Sequence, residues 1–99
     1  MPHNGITDLV VEETPICVLD FETTGLNPHS DRIIEIGAVR IHGGQVMDSF
    51  TTLVNPGMPL DDKVVKITGI KDYMLRDEPD AAQALPRLMA FIGASPLAA

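Results

Sequence analysis

Two acidic residues, Asp20 and Glu22, stand two positions apart at the end of an apolar run and are the first candidates for chemistry. Side chains so spaced on a strand leave the same face, about 6.6 Å apart along the chain. Two neighbouring carboxylates repel each other, and hard divalent cations such as Mg²⁺ or Mn²⁺, which prefer oxygen ligands, relieve that repulsion. The pattern indicates a cation site, with two acids that simply enter solvent as the alternative interpretation.

The segment after these acids, Thr23-Thr24-Gly25-Leu26, carries two hydroxyl groups, a glycine and an apolar side chain. A glycine in such a loop lets the backbone approach a ligand closely. We therefore expect this loop to lie beside the acids and to take part in binding.

Three strand-like runs position these residues. ICVLDF at 16–21 is short, apolar and rich in β-forming residues, which is typical of a buried strand. RIIEIGAVRIH at 32–42 has apolar residues on both faces and predicts a central strand that is covered on both sides. Gly43-Gly44 permits a tight hairpin turn into a third strand within 45–57, so the second and third strands should be antiparallel neighbours.

Helical signals follow the strands. Asp61 or Asp62 can cap a short helix that Gly69 ends, and a further short turn is predicted at 71–75. The final residues, SPLAA at 95–99, predict a return to extended structure.

A longer helix is predicted near the end of the chain, where apolar residues recur at helical spacing up to Gly93. Asp80 could cap it, but Pro86 would then lie inside the helix, which costs about 3 kcal/mol and one hydrogen bond. A start near Leu85, with Pro86 in the first turn, is the preferred prediction.

The composition limits the classes of function. The chain has 99 residues, a formal net charge of −7 and 44% apolar residues, which suits one folded domain. It contains neither a membrane-length apolar stretch nor a secretory signal, and its single cysteine, Cys17, is expected to pack in the core, so a cytoplasmic location fits. An acidic chain lacks a simple electrostatic grip on nucleic acid, so phosphate chemistry here would require bound cations.

The stretch DFETTGLNP at 20–28, followed by RIIEIGAVRI at 32–41, resembles the opening of the DEDD-type, or DnaQ-like, 3′-to-5′ exonucleases. VNPGMPL at 54–60 and ITGI at 67–70 resemble that family in order and spacing. The resemblance is to bacterial DNA polymerase III proofreading exonucleases. ITGI is similar to the domain built into Gram-positive-type replicative polymerases, whereas separate epsilon subunits carry histidine in place of the threonine; both branches stay open.

This resemblance implies an α/β, ribonuclease H-like fold, in which an antiparallel three-stranded meander is followed by helices and the later part of the domain is missing. Residues 1–14 form a polar lead-in, and residues 15–99 form the N-terminal part of an exonuclease domain. Asp20 and Glu22 become catalytic ligands of two divalent cations, Mg or Mn. The residues implied to contact the terminal nucleotide are Thr23, Thr24, Gly25, Leu26, Thr68, Gly69 and Ile70.

The implied reaction is hydrolysis of phosphodiesters to nucleoside monophosphates at single-stranded or frayed 3′ ends, in DNA proofreading or repair. DNA is favoured over RNA, and a replicative polymerase is the implied partner. In the family, the third acid, the general-base histidine and the fourth acid all follow a stretch like FIGASPL, here at 91–97, and none of them is present in these 99 residues. His3, His29 and His42 do not replace the histidine, because they lie in the lead-in, in the loop after the first motif and at the hairpin. We therefore expect the 99-residue chain alone to be inactive, and an open sheet edge to favour a homo-oligomer.

Two rival interpretations remain. An aspartyl phosphatase of the haloacid dehalogenase type also places an Asp at a strand end, but its second acid is an Asp and its strand enters a parallel sheet. The other is a catalytically incomplete exonuclease-like fragment that acts only as a binding or structural module.

Several other charged residues have structural interpretations. Glu35 is expected to pair with Arg32 or Arg40 if it is buried within its strand. Four basic residues flank the ITGI segment and either track a phosphate backbone or, as we prefer, form a solvated helical surface: Lys63, Lys66, Lys71 and Arg76.

Overall fold

A computed structural model describes residues 14–25, 27 and 29–98 of the protein. The predicted lead-in lies almost wholly outside the described residues, as do Leu26 and His3. The strands are β1 (Ile16–Thr23), β2 (Ile33–His42), β3 (Gln45–Leu53) and β4 (Leu97–Ala98), and the helices are α1 (Asp62–Thr68), α2 (Asp72–Leu75) and α3 (Ala81–Ile92). None of the described helices has the length and apolar character needed to cross a membrane.

The four strands form one mixed sheet in the order β3-β2-β1-β4. β1, β2 and β3 make the predicted antiparallel meander. β4 pairs in parallel with β1, so the expected return to extended structure is confirmed and the meander gains a parallel neighbour. Gly43 and Gly44 form the turn between β2 and β3 with φ angles of 60° and 77°, a left-handed conformation that suits glycine and a tight hairpin.

One face of the sheet packs against α3. Its main apolar cluster contains Cys17, Ile36, Ala38, Val54, Ala84, Leu88 and Ile92. Cys17 is fully buried within this cluster, which confirms its packing role. β2 is an interior strand, as predicted. Its face with Ile34, Ile36 and Ala38 is buried, whereas its opposite face is only half-buried. The expectation of cover on both sides was therefore wrong for the described residues.

A second apolar cluster holds α1 and α2 beside the meander. It contains Ile34, Leu60, Val64, Ile70 and Leu75. α1 begins as predicted, with the Asp61 side chain accepting a hydrogen bond from the Val64 backbone N–H at 2.9 Å. It ends at Gly69, whose φ of 74° is the left-handed value common at helix ends.

The start of α3 differs from the preferred prediction. The helix begins at Ala81, not near Leu85, and Pro86 lies inside it. Asp80 and Gln83 form a reciprocal capping box, with bonds of 2.9 Å and 3.2 Å. Ala84 is completely buried against the sheet. The capping box and the burial of this first turn together offset the hydrogen bond that is lost at Pro86. The sequence-based prediction counted the cost of Pro86 but not the burial of Ala84, which depends on residues distant in the chain.

Arg40 ties the C-terminal end of α3 to the sheet. Its guanidinium group donates to the carbonyl oxygens of Phe91 and Ile92, and to the Ser95 hydroxyl at 2.8 Å. It also pairs with Asp48 across the β2–β3 ladder at 2.9 Å. Arg40 therefore does not supply a partner for Glu35. The two residues are five positions apart on one strand, so their side chains lie on opposite faces of the sheet.

Candidate active site

The two acids identified from the sequence lie on one face of β1, near the end of the strand. Asp20 is exposed and Glu22 is half-buried. Asp20 lies opposite Gly37 of β2, and a Cβ added at Gly37 would come no closer than 3.7 Å to another residue, the nearest atom being the Asp20 carbonyl oxygen. Glu22 lies directly opposite Glu35, after which the register of the ladder shifts.

Glu35 thus adds a third carboxylate to this face, which the sequence analysis did not recognise. Directly opposed residues of an antiparallel pair have Cβ atoms about 4.5–5.5 Å apart, and like charges there destabilise the ladder. These oxygen donors are of the kind that fits a hard divalent cation. In number they fall short, since the described part of the chain has no group of three or more His, Cys, Asp or Glu side chains arranged to hold a metal ion.

The loop after β1 is held by Asp31. One oxygen of its carboxylate accepts from the Thr24 hydroxyl at 2.9 Å, and the other accepts from the Asn27 backbone N–H at 2.8 Å. The Thr24 hydroxyl in turn accepts from the Arg32 backbone N–H at 2.9 Å. Both hydrogen-bonding functions of this hydroxyl are thus used inside the loop.

Gly25 is the point of closest approach in this loop. A Cβ at this position would lie 2.6 Å from the Asp31 carboxylate, closer than real side chains come. The Thr23 hydroxyl donates to the Gly25 carbonyl at 2.7 Å. Gly25 was expected to let a ligand approach the backbone. In the structure, the group that lies against it is the Asp31 carboxylate, which holds the loop.

The end of β1, the following loop and α1 enclose a cleft of about 690 Å³. The residues that line it are Phe21, Glu22, Thr23, Thr24, Gly25, Asp61, Lys63, Val64, Ile67 and Thr68. α1 is held against the meander by the second apolar cluster, in which Val64 packs with Ile34. Packing remote from the acids therefore brings α1 opposite Glu22.

The predicted site residues divide into two groups in the structure. Those that meet at the cleft are Glu22, Thr23, Thr24, Gly25 and Thr68. Asp20 shares the Glu22 face of β1 but does not line the cleft. Gly69 ends α1, and Ile70 is 5% exposed and packs in the second apolar cluster. Leu26 lies outside the described residues.

Four cleft residues were missed by the sequence analysis as site residues: Phe21, Asp61, Val64 and Ile67. Lys63 was considered for phosphate binding, but a solvated surface was preferred. A usable signal was that Lys63 and Ile67 are four positions apart and so share one face of a helix. The Thr68 hydroxyl donates to the Val64 carbonyl at 2.8 Å and accepts from the Ile70 N–H at 3.1 Å, which leaves it one lone pair. His29 and His42 do not line the cleft.

The mixed four-stranded sheet with helices, and carboxylates near the end of its first strand, matches part of a ribonuclease H-like domain of the exonuclease class. The chain belongs to the exonuclease family, whose model matches residues 17–99. The resemblance to DnaQ-like exonucleases is thereby confirmed.

Among curated proteins, the chain is similar to PolC-type DNA polymerase III. It is 42% identical to the Thermotoga maritima protein over 90 residues, covering 91% of this chain and 7% of the relative. It is 41% identical to the Bacillus subtilis protein over 91 residues, covering 92% of this chain and 6% of the relative. The chain thus spans only a small part of the relatives that it matches.

Solved structures agree with the fold. The nuclease domain of 3′hExo, a DEDDh family member bound to rAMP, superposes with a TM-score of 0.70 at 27% identity, over 79% of this chain and 43% of that chain. Exonuclease X in complex with 5′ overhanging duplex DNA gives a TM-score of 0.66 at 27% identity, over 74% and 42% of the two chains. The chain therefore forms part of a domain of this kind.

Proposed function

We propose that this chain supplies the first half of the active site of a two-metal-ion 3′-to-5′ exonuclease, which hydrolyses nucleic-acid phosphodiesters to nucleoside monophosphates in DNA proofreading or repair. The observation that carries the proposal is the position of Asp20 and Glu22 on one face of β1, where the strand reaches the cleft. Membership of the exonuclease family supports the same reaction class.

Asp20 and Glu22 would hold the cations, Mg²⁺ or Mn²⁺, through their carboxylate oxygens. Such cations supply a nucleophilic water and offset the charge that develops on the phosphate and on the leaving oxygen. Glu35, opposite Glu22, adds negative potential that favours a cation at this face. Because these acids repel a phosphate when no cation is bound, substrate binding and cation binding should reinforce each other.

The loop residues would receive the terminal nucleotide. The Thr23 hydroxyl donates to the Gly25 carbonyl and would use its lone pairs to accept from the nucleotide, whereas the Thr24 hydroxyl positions the loop through Asp31 and Arg32. Gly25 keeps this segment free of a side chain, and Leu26 is proposed to pack against the terminal base. Thr68 would line the far side, with Gly69 and Ile70 holding its backbone in place.

The proposed substrate is a single-stranded or frayed 3′ end, with DNA favoured over RNA. The similarity to PolC-type polymerases supports a role beside a replicative polymerase in the cytoplasm. Self-association through the open sheet edge is a further proposal, since β3 is an edge strand in which Val46 and Met47 are exposed.

A second candidate function is a catalytically incomplete module that binds or supports without cleaving. It is favoured by the shortage of metal ligands among the described residues, where no group of three or more is found. Two carboxylates bind a cation weakly because affinity depends on the number and geometry of the ligands.

The test incubates the 99-residue chain with Mn²⁺ and a 3′-end-labelled single strand, and measures released mononucleotide together with Mn²⁺ binding by calorimetry. Asp20→Ala removes a proposed ligand, and Asp62→Ala is the control at an exposed acid outside the cleft lining. Release that only Asp20→Ala abolishes supports an exonuclease site that a second copy of the chain completes. Mn²⁺ binding that depends on Asp20, without release, supports the proposed half-site, because the described residues hold no group of three or more metal ligands. Equal Mn²⁺ binding by the wild type and Asp20→Ala contradicts the proposed cation site and supports the incomplete module.

A further inference from the structure

We propose that Lys63 is the phosphate-binding residue of the cleft and holds the backbone of a substrate strand through its ammonium group. This inference rests on the proposed function. It adds the contact through which this acidic chain would bind the negatively charged backbone of a nucleic acid. The sequence analysis favoured a solvated surface for Lys63, but the structure places it on the cleft wall that faces Glu22.

The charges that line the cleft are unevenly distributed. Glu22 and Asp61 contribute carboxylates, and Lys63 is the single basic residue among the described lining residues. The Asp61 carboxylate is occupied in capping α1, where it accepts from the Val64 N–H at 2.9 Å. The net charge of the chain is −7, and among the described lining residues a strand in this cleft meets a favourable side-chain charge only at Lys63.

Lys63 differs from the neighbouring Lys66 in its surroundings along the helix. Lys66 follows Asp62 by four positions, which is the favourable acid-before-base spacing on a helix surface. The positions three and four away from Lys63 are Pro59, Leu60, Lys66 and Ile67, and none of them is acidic. Lys66 does not line the cleft. Lys63 therefore faces the cleft without the intrahelical acid that partly neutralises Lys66.

The apolar part of the cleft lies next to this charge. Ile67, one turn after Lys63 on the same helix face, is 72% exposed, and Phe21 on the opposite wall is 39% exposed. An ammonium group beside exposed apolar surface matches a nucleotide, which presents a phosphate and a flat base. Contacts of this type carry little sequence preference, because every nucleotide offers both groups.

The test measures binding of a 5′-fluorescein-labelled oligothymidylate by anisotropy, at constant Mn²⁺ and at 50 to 300 mM NaCl, with phosphorothioate linkages at the 3′ end to prevent hydrolysis. One phosphate contact on a single strand contributes about 0.7 to the slope of log K against log salt. Lys63→Gln should lower that slope by about 0.7 and weaken binding roughly 8-fold at 50 mM and about 4-fold at 150 mM. Lys66→Gln is the matched control and should bind within about 2-fold of the wild type.

Wild-type binding that Lys63→Gln leaves unchanged, or that Lys66→Gln reduces equally, overturns the assignment and leaves the proposed function intact. A wild-type chain that binds no strand, together with Mn²⁺ binding that is independent of Asp20, overturns the proposed function as well. Circular dichroism of each variant checks the fold. Substitution of Lys63 or Lys66 should not alter it, because both side chains are exposed on α1.

Discussion

The carboxylate of Asp31 should determine whether the loop beside the two acids keeps its shape. Asp31→Ala removes the acceptor for the Thr24 hydroxyl at 2.9 Å and the acceptor for the Asn27 N–H at 2.8 Å. The substitution also opens space beside Gly25, where the Asp31 carboxylate lies so close that a Cβ on residue 25 would clash with it. The loop then loses the side chain that joins Thr24 and Asn27 to Asp31.

The size of the effect follows from these two bonds. A hydrogen bond to a charged group contributes about 1.5–3 kcal/mol, and partial exposure of this loop lowers that to roughly 1 kcal/mol for each bond. Asp31→Ala should therefore destabilise the closed loop by about 2 kcal/mol, which increases its opening about 30-fold. Asp31→Asn keeps one acceptor oxygen and should lose about half of that free energy.

Amide hydrogen exchange measures this opening directly. In Asp31→Ala the amides of Thr24 and Arg32 should exchange about 30-fold faster, because each keeps its own acceptor in the closed loop, the Arg32 carbonyl oxygen and the Thr24 hydroxyl. The amides of β2 should be unchanged. Asp77→Ala, at an exposed acid after α2, is the control and should leave the loop amides unaffected. A change below about 3-fold at both loop amides in Asp31→Ala would refute the role given to this carboxylate.

Two further substitutions test the fold and the acidic face. Arg40→Met should lower the free energy of unfolding by about 3 kcal/mol, because the Arg40 side chain is 21% exposed and its bonds to Ser95 and to the last carbonyls of α3 are lost. Urea denaturation measures this loss, and an equal loss in Arg87→Met, at an exposed residue of α3, would contradict it. Glu35→Gln should raise the melting temperature in EDTA, by relieving repulsion of about 0.2–1 kcal/mol opposite Glu22, and should weaken Mn²⁺ binding several-fold. If calorimetry finds the same Mn²⁺ affinity in Glu35→Gln as in the wild type, Glu35 does not contribute to cation binding.

Features that depend on local spacing were predictable from the sequence. The hairpin at Gly43-Gly44 and the ends of α1 at Asp61 and Gly69 follow from residues that act within a few positions of themselves. The start of α3 at Ala81 was not predictable in this way. The completely buried Ala84 contributes to that start through contacts with residues distant in the chain.

The sequence by itself determined the acidic pair, because alternation along a strand places Asp20 and Glu22 on one face whatever else the chain does. Only the tertiary structure decided what surrounds the pair. The register of β1 against β2 brought Glu35 opposite Glu22. Packing of α1 on the meander placed Lys63 across the cleft and turned Ile70 into the core. These relations join residues that are distant in the chain, and they depend on how apolar surfaces fit together, which no local pattern encodes.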